Sequence, residues 1–134
     1  MTPVNHQLVR DFFTAIASGN VPDDLLTQDM SLWTVNGGTS DKARFQGAMK
    51  MLASIFSGTL RYEIDALTAE DDRVAAEVQS HGTLPDGEPF HNTHLFMCRI
   101  RDGRIAAVAE FMNQFIGREK IAPLMLAAMR KTPG

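Results

Sequence analysis

The sequence contains very little cysteine, and this scarcity excludes several classes of protein. Cys98 is the only cysteine, so no disulfide can form within the chain and no pair of thiols is present for a zinc or redox motif. A single thiol is compatible with a reducing compartment, where disulfides are rare. We therefore expect a cytoplasmic protein.

Long apolar runs and clusters of positive charge are also missing. No stretch reaches the roughly 18 consecutive apolar residues of a membrane-spanning helix, and residues 1–7 lack the basic region and apolar run of an export signal. The net charge is -3, and basic residues never occur in runs longer than a pair. Since such a chain has no basic surface for a phosphate backbone, we expect neither nucleic acid nor a membrane as its partner.

What the sequence does contain is the composition of a folded domain. Hydrophobic residues make up 44% and charged residues 22% of its 134 residues. This balance is typical of a chain that buries a core, and the length is too short for two domains of ordinary size. We expect one domain over residues 1–134, with a helical tail from about residue 118.

Hydrophobic residues recur at helical spacing in two stretches of the first half of the chain. The first begins at Thr2-Pro3, a capping hydroxyl followed by a proline suited to the first helical turn, and ends at Gly19. The second ends at Gly58. Their apolar faces are Leu8, Phe12, Ala15 and Ile16, and Met49, Leu52, Ala53 and Phe56. A shorter helix is predicted over residues 22–29, because a proline and two aspartates open it.

The second half changes to the alternating pattern of β-strands. The predicted strands comprise residues 31–36, 60–69, 73–84, 89–101 and 104–114. A loop through residue 42 follows the first, and turn signals separate the others. Residues 118–130 return to helical spacing and are predicted to dock on the body or on a partner. Helices followed by a long antiparallel meander predict an α+β fold whose helices cover one face of the sheet.

Alternation assigns the strand side chains to two faces, and neither predicted face is simply polar. One face is apolar and holds Val78, Leu95, Met97, Ala107, Ala109 and Phe111. The other mixes polar and apolar groups, namely Glu77, Gln79, His81, Asn92, His94, Phe96, Val108, Glu110 and Met112. A solvent-facing surface seldom combines large apolar groups with two imidazoles. We therefore interpret the second face as the lining of a pocket.

Two motifs and the order of elements carry a resemblance to a known family. The motifs are L-P-D-G-E-P-F-H-N-T-H at residues 84–94, and a D-G-R-I turn at residues 102–105 that leads to E-F-M-N at residues 110–113. Over residues 4–116 the chain resembles the SnoaL-like family, which is grouped with ketosteroid isomerases, polyketide cyclases and limonene epoxide hydrolases in the nuclear-transport-factor-like superfamily. The resemblance implies a cone, in which a curved, mainly antiparallel sheet wraps around N-terminal helices and encloses a pocket.

The resemblance also shows which known residue sets this chain lacks. The oxyanion-donating tyrosine of the isomerases corresponds to Phe12, their base aspartate to Thr34, and their protonated aspartate to Phe96. All three functional groups are therefore replaced, and that chemistry cannot be copied. The aspartate, arginine and aspartate set of the epoxide hydrolases is not matched either, although Glu110 falls near one of the two aspartates.

Glu110 and His94 form the candidate catalytic pair. Polyketide cyclases of the family use an aspartate and histidines around the substrate, and His81, His94 and Glu110 are closest to that pattern in kind. A carboxylate in a water-poor pocket binds a proton more readily, and an imidazole titrates near neutrality, so Glu110 and His94 could move a proton next to a carbonyl. The alternative is a purely structural hydrogen bond. Glu77 and His81 form a second such pair or lie at the wet rim.

The predicted ligand-contacting residues combine an apolar wall with polar groups. They are Phe12, Ile16, Leu32, Thr34, Glu77, Gln79, His81, Asn92, Phe96, Val108 and Met112. Trp33 alternates away from Leu32 and Thr34, so we expect it under a covering element or a partner. No close spacing of ligand residues fixes a metal cluster, and we expect neither a metal nor another cofactor.

Two functions of different classes remain open. The first is a cofactor-free isomerase or cyclase that acts on a hydrophobic carbonyl substrate, with Glu110 as base and His94 or Asn92 orienting an oxygen. The second is a non-catalytic small-molecule binding domain with the same pocket. We also expect a homodimer, because the apolar outer face would otherwise be exposed. In the competing arrangement, the C-terminal helix folds over that face within one chain.

Overall fold

Two long helices cover one face of the sheet. The computed structural model describes residues 3–131, and the predicted capping hydroxyl of Thr2 lies outside them. Helix α1 spans Pro3–Ser18 and helix α2 spans Lys42–Phe56. The backbone after each helix is left-handed, with φ of 80° at Gly19 and 83° at Gly58. Both glycines therefore lie where the sequence predicts the helices to stop.

Six strands form one curved, mixed sheet. They are β1 (Leu26–Thr34), β2 (Gly38–Asp41), β3 (Arg61–Glu70), β4 (Arg73–Thr83), β5 (Pro89–Arg101) and β6 (Arg104–Met112). Their spatial order is β2-β1-β6-β5-β4-β3, with β1 parallel to β6 and all other neighbours antiparallel. Register shifts interrupt three of these ladders, and such irregularities bend strands. The predicted α+β fold with a curved, mainly antiparallel sheet is confirmed.

Two predictions for residues 22–42 are wrong. The helix predicted over residues 22–29 is reduced to one 3₁₀ turn, Asp23–Leu25, and the chain enters β1 at Leu26. The predicted loop contains strand β2, which pairs back on β1. The proline and aspartates favour a helix only through their own neighbouring residues. As a strand, the same segment buries Leu26 and Met30 and pairs β1 with β6, and these contacts involve distant parts of the chain. Tertiary packing outweighs a weak local preference here.

The C-terminal segment is helical but irregular. It comprises helix α3 (Gln114–Ile116), a π-helical turn (Gly117–Ile121) and helix α4 (Ala122–Lys131). Pro123, the second residue of α4, lacks the amide hydrogen that a regular helix needs, and the wider π-helical turn ends two residues before it. Helix α4 packs against α2, and Leu124 and Met125 contact a buried cluster. The segment therefore lies over the inner face of the sheet and does not cover the outer face.

The core lies between α1 and the sheet, with a smaller cluster at the end of α2. The largest fully buried side chains include Phe12, Ile16, Leu26 and Met30 in the main core, and Phe56 in the smaller cluster. Removing such large apolar side chains from water is the main stabilising contribution to a fold of this size. Within residues 3–131, no helix is both long and apolar enough to cross a membrane.

Candidate functional site

A cavity of about 420 Å³ lies between the inner face of the sheet, α1, α2 and the C-terminal segment. Most of its wall is apolar and is contributed by residues of both buried clusters. The polar wall residues are Thr34, Asn36, Tyr62, Ser80, Asn92, His94, Glu110, Gln114 and Arg118. Of these, Arg118 is exposed, whereas the Glu110 side chain is only 13% exposed. A mostly apolar cavity with a few converging polar groups is typical of a small-molecule site.

Three side chains on neighbouring strands form a hydrogen-bonded relay inside this cavity. The Ser80 hydroxyl of β4 lies 2.7 Å from His94 Nε2 of β5, and His94 Nδ1 lies 2.9 Å from Glu110 Oε2 of β6. Ser80 is 2% exposed and His94 is 9% exposed. Because strand pairing places the three residues diagonally across adjacent ladders, the sheet itself fixes their relative positions.

The relay has a defined direction when Glu110 is ionised. A carboxylate only accepts hydrogen bonds, so His94 Nδ1 must donate to it. In the neutral ring Nε2 is then an acceptor, and the Ser80 hydroxyl donates to it. Both ring nitrogens of His94 are therefore engaged, and Ser80, His94 and Glu110 all line the cavity.

Tyr62 is a polar wall residue that the sequence reasoning missed. It lies on β3 directly opposite Ser80, and its ring contacts those of Phe13 and His94. Burial, and secondarily the nearby Glu110 carboxylate, raise the pKa of the Tyr62 phenol. No hydrogen bond to its hydroxyl is formed by any of the residues that the structure describes. Tyr62 is the only tyrosine of the chain, which was the one signal available in the sequence.

Most of the residues predicted to line a pocket do so. Both members of the candidate catalytic pair, His94 and Glu110, reach the cavity, as do Phe12, Ile16, Leu32, Thr34, Asn92, Phe96 and Met112. Val108 faces the same way but is 2% exposed and packs within the main core instead. Phe12, Thr34 and Phe96, which the family resemblance matches to functional residues of the isomerases, all lie on the cavity wall.

The predicted orientation of β4 is wrong, and it removes Glu77, Gln79 and His81 from the pocket. Val78 pairs with His94 and Ser80 with Asn92, and directly opposed residues share a face of the sheet. The even-numbered residues of β4 therefore point inward, and Val78, predicted to lie on the outer face, is 1% exposed. Ser80 replaces the expected acidic and imidazole groups on the inner face.

Two of the displaced residues, Gln79 and His81, belong to a separate network on the outer face. His81 stacks on His91 with ring centroids 5.0 Å apart, and its Nε2 lies 3.0 Å from Glu63 Oε1. Gln79 bridges His91 and Asp65, at 2.6 Å and 2.9 Å. This network is exposed to solvent, and none of its members lines the cavity. Among the residues described, no three His, Cys, Asp or Glu side chains converge as metal ligands would.

Comparison with known proteins identifies the fold independently. A family model described as the SnoaL-like domain matches residues 9–108. An NTF2-like protein from Anabaena variabilis is similar at 23% identity over 82% of this chain and 87% of that protein, with a TM-score of 0.72. IdmH, a proposed polyketide cyclase from Streptomyces antibioticus, is similar at 21% identity over 94% of this chain and 98% of its own, with a TM-score of 0.74.

A third solved structure contains a small molecule. It is a protein with a ketosteroid isomerase-like fold from Catenulispora acidiphila in complex with trimethylamine, at 17% identity over 83% of this chain and 86% of that protein, with a TM-score of 0.69. At such identities the likeness shows the fold alone. No curated protein sequence matches the chain significantly.

Proposed function

Because this chain belongs to the SnoaL-like family, we propose that it binds a hydrophobic, carbonyl-bearing small molecule in the cavity and moves a proton at the carbon next to that carbonyl. This step underlies both isomerisation and aldol-type cyclisation, and it needs no cofactor. The observation that carries the proposal is the Glu110 carboxylate, which His94 holds at 2.9 Å inside a mostly apolar wall. A hydrophobic substrate that fills such a cavity displaces water from it, and electrostatic interactions between the carboxylate and the substrate are stronger where water is absent.

Glu110 is the group proposed to accept the proton. Its Oε2 atom accepts the hydrogen bond from His94, and among the residues described no other hydrogen bond to this carboxylate is formed. Oε1 is therefore available to reach a substrate hydrogen directly, as a general base must. The sequence predicts that His94 or Asn92 orients a substrate oxygen. Because both ring nitrogens of His94 are already hydrogen-bonded, we propose instead that His94 positions the Glu110 carboxylate.

Tyr62 and Asn92 are proposed to hold the substrate oxygen. A phenol is protonated through the neutral range at its ordinary pKa, and burial raises the pKa of Tyr62 further, so Tyr62 remains a hydrogen-bond donor there. The Asn92 side-chain oxygen accepts from Thr93 N at 2.8 Å, whereas its Nδ2 group donates only one long hydrogen bond of 3.4 Å, to the Asn113 carbonyl. Donors aimed at a carbonyl oxygen stabilise the negative charge that develops there when the adjacent carbon loses its proton.

Exchange of hydrogen for deuterium tests the proposal without knowledge of the natural substrate. β-Tetralone, a bicyclic ketone with acidic hydrogens beside its carbonyl, is incubated with the protein in D₂O and followed by NMR. We expect wild-type protein to accelerate exchange and Glu110→Gln to lower the protein-dependent rate by at least about a hundredfold. Glu77→Gln is the matched control, because Glu77 is an exposed glutamate on the outer face of β4.

The outcomes separate the two candidate functions. Exchange that is unchanged in a folded Glu110→Gln variant would contradict the assignment of the base. Binding of β-tetralone without any exchange would favour the second candidate, a non-catalytic binding domain. One observation favours that candidate: both ring nitrogens of His94 are already hydrogen-bonded, to Ser80 and to Glu110, so the imidazole needs no ligand to satisfy it.

A second copy of the chain is proposed to cover the outer face of β1, β6 and β5. Trp33, Leu95 and Phe111 are 38%, 46% and 44% exposed there, and the rings of Trp33 and Phe111 lie 5.4 Å apart. The helices occupy the other face, so they cannot shield this patch. An apolar patch on a sheet is commonly buried by a two-fold related subunit.

A further inference from the structure

We propose that Ser80 is a nucleophile and that the cavity also transfers acyl groups from small, uncharged hydrophobic esters. The relay connects a hydroxyl, an imidazole and a carboxylate in the order that activates a serine nucleophile, with separations of 2.7 Å and 2.9 Å. This connectivity is recognised by geometry and roles and occurs on unrelated folds. Proton transfer at carbon does not require a hydroxyl at this position, so the activity goes beyond the proposed function.

The relay provides the proton path that acyl transfer requires. As the Ser80 oxygen attacks the ester carbonyl carbon, its proton moves to His94 Nε2, and Glu110 stabilises the resulting imidazolium through Nδ1. A carbon–oxygen bond to Ser80 forms, and the carbonyl oxygen becomes an oxyanion. When the bond to the leaving alcohol breaks, that alcohol takes the proton from Nε2. Water then hydrolyses the acyl-serine by the same steps.

Two polar side chains flank the nucleophile on the neighbouring strands. Tyr62 of β3 and Asn92 of β5 are both directly opposite Ser80, and such cross-strand pairs have Cβ atoms about 4.5–5.5 Å apart. Their phenol and amide are therefore the donors available to an oxyanion formed on a carbonyl attached to Ser80. The apolar wall selects a hydrophobic acyl group, and the Glu110 carboxylate disfavours a second negative charge beside it.

A structural role for Ser80 is the competing explanation. The hydroxyl donates to a buried imidazole, and this bond alone could serve to fix the His94 ring. A purely structural serine would not be consumed by an electrophile. Covalent trapping therefore distinguishes the two roles, whereas loss of stability in a Ser80 variant would not.

Diisopropyl fluorophosphate and p-nitrophenyl butyrate are suitable probes. We expect intact-mass measurement to show one diisopropylphosphoryl adduct, which fragmentation assigns to Ser80, with fluoride released. We expect Ser80→Ala to lose the adduct and to lower p-nitrophenolate release by at least about a hundredfold. Ser54→Ala is the matched control, because Ser54 is exposed on α2 and hydrogen-bonds only to the Met51 carbonyl. It should behave as wild type.

Absence of the adduct in wild-type protein, its assignment to another residue, or its persistence in Ser80→Ala would overturn the inference. Ser80→Cys provides a second variant in case Ser80→Ala fails to fold, since a thiol keeps a nucleophile at this position, and its alkylation at residue 80 would support the inference. The two proposals fail independently. Wild-type protein that exchanges β-tetralone but is not phosphorylated contradicts only the nucleophile, and the reverse result contradicts only the carbon base.

Discussion

Gly19→Ala tests how closely the end of α1 approaches α2. Gly19 is buried directly after α1 with φ of 80°, and a Cβ placed on it would lie 2.6 Å from Ala53 Cβ and 3.4 Å from Lys50 Cα. Left-handed backbone costs a residue with a side chain about 1–2 kcal/mol, and overpacking costs about 1–3 kcal/mol. We expect the variant to lose about 2–5 kcal/mol of unfolding free energy.

Gly58→Ala is the matched control for this prediction. Gly58 follows α2 with φ of 83°, but no atom lies within 4 Å of the position that its Cβ would occupy. Gly58→Ala should therefore lose only the about 1–2 kcal/mol of unfolding free energy that left-handed backbone costs a residue with a side chain. Urea unfolding followed by circular dichroism measures both variants, with the slope compared to detect changes in the unfolded state. Equal losses in the two variants would refute the steric reasoning.

A double-mutant cycle isolates the overlap itself. Ala53→Gly removes the methyl group that a residue-19 Cβ would meet, and alone it should cost about 1 kcal/mol because glycine is unfavourable within a helix. In the Gly19→Ala/Ala53→Gly double variant most of the steric cost should disappear. The unfolding free energies lost by the two single variants should therefore add up to about 1–2 kcal/mol more than the double variant loses. Strictly additive losses would show that the helices separate without strain.

Two other predictions concern the outer face and the buried thiol. Leu95→Glu, which places a charge in the exposed apolar patch, should yield a folded monomer by sedimentation. Thr68→Glu is the control and should retain the dimer, because Thr68 lies on the edge strand β3. Wild-type protein that is already monomeric at micromolar concentration contradicts the proposed interface. Burial raises the pKa of Cys98 to about 12. Below the ordinary thiol pKa the thiol is neutral in both the folded and the unfolded state, so its stabilising contribution is complete. As the pH rises from there toward about 12, the unfolded thiol ionises first and the free energy of unfolding declines. Unfolding free energy should therefore fall less over this alkaline range in Cys98→Ala than in wild type, and a thiol reagent should modify native Cys98 only slowly.

Local patterns in the sequence determined the existence and type of most elements. Helical spacing identified α1, α2 and the C-terminal segment, and turn residues separated the four long strands, because these features depend on contacts within a few residues. Alternation also predicted that His94 and Glu110 face the same side. The roles proposed for these residues remain predictions that the experiments above address.

The relation between neighbouring strands was decided only by the tertiary structure. Residues 84–88 connect β4 to β5 so that Thr83 lies opposite Pro89, and this pairing turns Ser80 inward and His81 outward. Alternation within β4 is equally compatible with the opposite orientation, because a shift of one residue moves every side chain to the other face. Tyr62 lies in the site because the register of β3 places it opposite the inward-facing Ser80. The sequence contained the relay's residues, but strand register alone decided which of them meet.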